Sequence, residues 1–283
     1  CLFVLSGQER HLWGEGRATP LEGLPTEDIL NLIERDIGRH LTPQERNEAE
    51  ILCASLKGNP LRILQAIAPV RDEGRSLEEI ARTAQQPAPG KAVTDQAVRT
   101  LSEQEQQIVA ALAALGGAPL PAEHLSALVG AVLPTPISDM ATALKMLQKR
   151  GLVQAHSPRY SATAAAAKDL PELWDLSEVK AQMLAYFVQW AEDNRTQTER
   201  LLEASEAMLH LLQWGAETGR WAEVIHLGQA IEEALILGKR WGAWLQVLQR
   251  VLQAAQALGD QATRSWALHQ LGRRSMRRRQ RTR

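Results

Sequence analysis

Gly58-Asn59-Pro60-Leu61 is the stretch on which the fold turns, because it sits where one amphipathic segment ends and the next begins. Proline has its φ already near helical values and lacks the N–H that a first helical turn leaves unpaired, so Pro60 opens a helix. Gly58 can close the preceding helix in the left-handed region, and Asn59 can cap the new one. Taken alone, such a corner joins two helices and no more. The order of segments on either side gives it meaning.

Upstream, Leu24-Pro25-Thr26-Glu27-Asp28 reads as a helix start with acids in the first turn, and Ile29, Leu32, Ile33 and Ile37 follow at helical spacing up to Gly38. Thr42-Pro43-Gln44-Glu45 is a capping box, opening a helix that carries Ala49, Leu52 and Leu56. Downstream, the Pro60 helix presents Leu61, Leu64 and Ala68, and Ser76 with Glu79 reads as another capping box opening a short fourth helix. Residues 23–86 therefore read as a compact helical unit. Gln85-Gln86-Pro87-Ala88-Pro89-Gly90-Lys91 is a linker by composition, which places a domain boundary there.

Beyond the linker, Ser102 to Glu105 boxes a helix with Ile108, Val109, Leu112 and Leu115, ended by Gly116-Gly117. Pro121 opens a second helix, and a third runs from Ile137 to Arg150, stopping at Gly151. Leu152 to His156, the turn Ser157-Pro158, and Arg159 to Thr163 form a short hairpin. Three helices and a hairpin make a winged helix, over residues 92–170. Ala164 to Lys168 then forms helix up to Pro171.

A longer helix follows from Ser177, with Met183, Phe187 and Trp190. Helical hairpins come next: Ala204 to Thr218, Trp221 to Leu237, Trp241 to Leu258, and one from Gln261. Their breaks recur about every twenty residues, the spacing of stacked helix pairs. Residues 174–272 thus read as helical repeats, with Trp214, Trp221, Trp241, Trp244 and Trp266 as inter-repeat core. Residues 273–283 form an Arg-rich tail that breaks the apolar period.

In a chain of 283 residues with 45% apolar and 23% charged residues, the expectation is a soluble, cytoplasmic, multidomain protein. No apolar run spans a bilayer and no signal peptide is visible. Cys1 and Cys53 are the only cysteines, which excludes a disulfide framework and a thiolate-rich zinc site. The tail holds seven arginines, and subtracting them from the formal net charge of −1 leaves −8 on the body. An acidic body repels nucleic-acid phosphates. The third helix of the winged unit also offers Ser138, Asp139 and Met140 at its N-terminal end, with its basic residues bunched at the other. Both features argue against nucleic acid as a partner.

Cys1-Leu2-Phe3-Val4-Leu5 followed by Ser6-Gly7 suits a strand buried on both faces of a parallel sheet, entered in mid-strand, so the chain reads as a fragment of a longer protein. A strand end, a helical unit around Gly58 to Leu61, a winged helix and paired helices, in that order, resemble the C-terminal portion of a STAND-type (NB-ARC, AP-ATPase) signalling NTPase. The resemblance implies a mainly α fold: the end of an α/β nucleotide-binding domain over 1–22, a helical lid over 23–86, the winged helix, and tetratricopeptide-like repeats. It implies ADP or ATP as the bound nucleotide, with Pro60 of the Gly58-x-Pro60-Leu61 motif laid against adenine. Mg²⁺ would be held by the missing upstream part.

The sequence departs from that pattern in two places. Gln8 stands where the family's phosphate-sensing Arg would be; Arg10, two residues on, is the candidate substitute, because Gln carries no positive charge. A His just past the second hairpin strand closes the winged helix over nucleotide in the family, whereas Ser161-Ala162-Thr163-Ala164 has none, and His156 lies before the turn. Either the latch works through another residue or it is lost.

Catalytic spacing is absent: no His-Glu-x-x-His, no Cys-x-x-Cys, no Gly-x-Ser-x-Gly and no phosphate-cradling Gly-x-x-x-x-Gly-Lys-Ser/Thr loop. This chain alone is therefore no NTPase. The leading expectation is an ADP/ATP switch whose repeats sense a protein partner, with the linker Gln85 to Lys91 as pivot and an oligomer forming on activation. A nucleotide-independent interaction scaffold and, third, a DNA-binding regulator are the alternatives.

Overall fold

The computed structural model describes residues 22–132 and 140–280. The apolar run Cys1 to Leu5, Gln8, Arg10, Ser138, Asp139 and Arg281 to Arg283 lie outside them. The described chain is mainly helical, with one small sheet.

The first unit is built from α1 (Thr26–Ile37), α2 (Pro43–Ser55), α3 (Pro60–Glu73), α4 (Leu77–Ala84) and α5 (Pro89–Arg99). Local chemistry sets the starts. Thr42 Oγ1 accepts from the Glu45 N–H at 3.3 Å while the Glu45 carboxylate accepts from the Thr42 N–H at 2.9 Å, the reciprocal box expected of that tetrad. Arg39 grips the same carboxylate with two bonds of 2.6 and 2.9 Å. With the guanidinium first and the Thr42 N–H second, Glu45 is held at a pKa of about 2. Ile29, Ile33, Leu52, Ile63, Ile67 and Ile80 close the core of this unit, each side chain contributing about 1.5–3 kcal/mol by leaving water.

α5 begins at Pro89, inside the stretch read as a linker, so the loose segment shrinks to a bend at Gln85–Ala88. Val93 of α5 belongs to the core of α1–α4, while Ala97 and Val98 belong to a second, continuous core that runs on to Ala267. One helix thus faces two interiors.

α6 (Glu103–Ala114), with a second reciprocal box at Ser102 and Glu105, leads to β1 (Leu120–Pro121), α7 (Ala122–Val132) and α8 (Met140–Lys149). β2 (Val153–His156) and β3 (Arg159–Ala162) form the hairpin, and α9 (Ala164–Leu173) follows, capped by Thr163 and continuing through Pro171. The sheet order is β1-β3-β2, all antiparallel, with Leu120 opposite Tyr160 and Val153 opposite Ala162. Pro121 therefore lies in an edge strand, where its missing N–H leaves no ladder bond unmade, and α7 opens one residue later.

α10 (Ser177–Asp193), α11 (Thr198–Glu203), α12 (Ser205–Glu217), α13 (Trp221–Leu237), α14 (Trp241–Leu258) and α15 (Gln261–Gln280) pack in succession, α13 on α14 and α14 on α15. Gly228 sets the closest approach. A Cβ there would stand 2.4 Å from Val251 Cγ2, so α13 and α14 can meet only over a bare backbone. Trp244 is buried and donates its indole N–H to Glu232 at 2.9 Å; Trp214, Trp221, Trp241 and Trp266 are half-buried against the same core. The α15 backbone stays helical through 273–280, past the point where the apolar period ends, since Arg is a strong helix former with or without a packed face. Among the described residues no helix is long and apolar enough to cross a membrane.

Candidate functional site

The Gly58–Leu61 corner is built by a close pass of two backbone segments. The Leu24 N–H donates to the Gly58 carbonyl at 2.8 Å, and Gly58 has φ of +63°. A Cβ on Gly58 would lie 2.5 Å from the Leu24 carbonyl oxygen, so only glycine permits the pass. Asn59 caps α3, its side-chain oxygen accepting from the Arg62 N–H at 3.1 Å, and Pro60 takes the first helical position. Pro60 is exposed, Leu61 half-buried and Gly58 buried. Gly58, Pro60 and Leu61 are neighbours along the chain, with the proline exposed; Arg10, the remaining candidate, lies outside the described residues.

One residue past the corner begins a face of α3 that carries Arg62, Gln65 and Asp72. These residues recur at helical spacing with Pro69 among them; α3 packs on α5 and reaches α9 through Arg62 and the end of α8 through Arg71. Arg62 Nη1 donates to the Gly90 carbonyl at 2.8 Å, to Thr94 Oγ1 at 2.7 Å and to the Asp169 carboxylate on α9. Thr94 donates in turn to Asp169 at 2.7 Å. The Arg62 and Asp169 side chains are only 15% and 8% exposed, so this charge pair works in a setting where water screens it little.

A turn further on, Gln65 donates to the Gly151 carbonyl at 2.6 Å, and Thr163 donates to the same oxygen at 2.9 Å. Gln65 Oε1 is buried without a hydrogen-bond partner. Near the end of α3, Arg71 holds Asp36 at 2.9 Å and Asp72 at 2.7 Å. The Arg71 hydrogen bond, aided by the positive fields of Arg71, Arg150 and Lys149, draws the Asp72 carboxyl below its ordinary pKa. Arg150 donates to Thr100 at 2.9 Å. The basic end of α8 is therefore engaged with α3 and α5.

Arg62, Thr94, Gln65 and Asp169 escaped the sequence reading. Gln65 left a signal, a lone amide within the apolar run Ile63 to Val70, whereas nothing in the sequence ties Arg62 to an aspartate more than a hundred residues away. His156 is occupied across the hairpin, its Nε2 standing 3.0 Å from Ser161 Oγ. Among the described residues no group of His, Cys, Asp and Glu could hold a metal ion. Comparison with protein-family models, with curated proteins and with solved structures gave no match to this chain.

Proposed function

We propose that this chain is the moving part of a STAND-type nucleotide switch: a helical lid over 23–86, a winged helix over 92–170 and tetratricopeptide-like repeats over 174–272. The observation that carries this reading is the layout of the first turn of α3. Pro60 offers its ring to solvent while Arg62, two residues on, is clamped to Asp169 of α9. A purine resting on Pro60 would sit within one helical turn of the bond that ties lid to winged helix. A nucleotide that binds one arrangement of that turn better than the other biases the whole assembly, since a ligand shifts an equilibrium by its differential affinity.

In this reading Asp169 does the latching that the family assigns to a His near Thr163, and the pivot is the bend Gln85–Ala88. ADP holds lid and winged helix together, ATP releases them, and the repeats meet a protein partner, with assembly on activation. The α8 cations support a role other than DNA reading. Arg150 faces Thr100, and Lys149 and Arg150 lie in the field of Asp72, so phosphate contacts there would compete with contacts already made.

ADP titration of the full-length protein, with its nucleotide-binding sheet, tests the proposal. Loss of the proline–purine contact in Pro60→Ala is expected to weaken ADP about tenfold, equivalent to about 1.4 kcal/mol. Absence of ADP binding, or binding indifferent to Pro60→Ala, overturns the switch and leaves a nucleotide-independent scaffold.

A further inference from the structure

α6, α7 and α10 line an open pocket of about 470 Å³ that plays no part in the nucleotide reading. Two helix faces line it at helical spacing, Gln107, Ala110 and Ala111 on α6 and Val179, Gln182, Met183 and Tyr186 on α10, with α7 on the third side. The space exists because α6 presents two alanines where it faces α10. Protein interiors are otherwise filled to crystal-like density, and a space of several hundred Å³ falls in the range of ligand pockets, which favour the gaps between helices.

Its polar groups are few. Gln107 Oε1 is buried without a hydrogen-bond partner, and the terminal torsion of a glutamine is soft, so the amide can turn to meet a donor; Gln182, the other amide of the lining, donates to the Glu178 carboxylate at 3.1 Å. At the other end Tyr186 is held in place: its hydroxyl lies 2.9 Å from Nδ1 of buried His124, which meets Trp190 edge-on at 4.5 Å. No charged side chain lines the space. An ion finds no counter-charge there, and water finds mostly hydrocarbon.

We infer that this cavity binds a small, uncharged, largely apolar ring compound carrying one N–H or O–H donor, which it gives to Gln107 Oε1. Because α10 leads into the helical stack while α6 and α7 belong to the unit before it, the occupant would lie at their junction and stiffen it.

5-Fluoroindole is a suitable probe, followed by ¹⁹F NMR on the intact chain beside its N-methyl analogue, which lacks the donor. One saturable site is expected, with the N-methyl compound about tenfold weaker, as for one lost hydrogen bond. Gln107→Leu combined with Gln182→Leu should bring the two compounds to within about twofold of each other, since the lining then carries no amide acceptor. Ala110→Phe, which fills the space, should abolish both; Val179→Phe fills it from the opposite wall should the first variant not fold. Failure of 5-fluoroindole to saturate, or binding that survives a filled cavity, overturns the site, and equal affinities in the unsubstituted protein overturn the role of Gln107. Neither result bears on ADP, so this inference and the switch stand or fall separately.

Discussion

The seam along α3 and the stack α12–α15 hold helices together by opposite means. At the seam, Arg62, Gln65, Thr94 and Asp169 join elements through directed hydrogen bonds and one buried charge pair. In the stack, Leu212, Leu227, Val247, Leu248 and Val251 meet over Gly228 with hardly a polar atom between them. Apolar burial is tolerant of small shifts and spread over many atoms, so it serves a joint that stays shut. A buried ion pair adds little net stability over an apolar substitute but is severely penalised when one member is removed, so the seam is sensitive to single changes of one partner.

The two joints can be separated experimentally, because five of the eight tryptophans, Trp214, Trp221, Trp241, Trp244 and Trp266, lie on α12–α15 and weight the fluorescence toward the stack, while far-UV circular dichroism reports on all helices. The largest effect is expected for Asp169→Ala, which strands the Arg62 guanidinium and should destabilise the seam by about 4 kcal/mol. In urea the dichroism should then fall before the tryptophan signal moves; coincident transitions would show that seam and stack are one cooperative unit. Leu248→Ala, a cavity in the stack, should cost about 3 kcal/mol and invert the order, the tryptophan signal moving first.

His124, buried on α7 against α10, supplies a pH test. Burial pushes its pKa down to about 4 from an ordinary 6.5. Between those values the unfolded chain holds a proton that the folded one refuses, so stability is complete above pH 6.5 and falls as the pH drops toward 4, by up to about 3 kcal/mol. Chemical denaturation at pH 7 and pH 5 should reveal the loss, and His124→Gln should remove most of the slope in that window. The smallest effect, about 1 kcal/mol, is expected for Thr42→Ala, which breaks the α2 box far from both joints and should lower the melting temperature without altering the order of the two signals.

What could be read from the sequence follows the range of the interactions. Capping boxes at Thr42 and Ser102, the Asn59-Pro60 start, the Val153–Ala162 hairpin and the breaks before Trp221, Trp241 and Gln261 are encoded within a few residues, and all are present. α5 was hidden because Pro87-Ala88-Pro89-Gly90 reads as a chain breaker, although a proline at the first helical position begins a helix and Val93, Ala97 and Val98 supply its faces. β1 was hidden because two residues carry no alternation, and its pairing with Tyr160 is made forty residues away. Of the candidate site, the corner was legible and its polar continuation was not. Pro60 announces itself by residue type; an arginine on a helix looks the same whether it faces water or a buried carboxylate.

A helix shared by two interiors has a practical corollary for anyone dissecting this molecule. Val93 of α5 points into one core and Ala97 and Val98 into the other, so scissors placed on either side of α5 leave one product with an uncovered greasy edge. Shorter pieces should therefore be sticky in isolation, and mixing the complementary halves should restore their solubility.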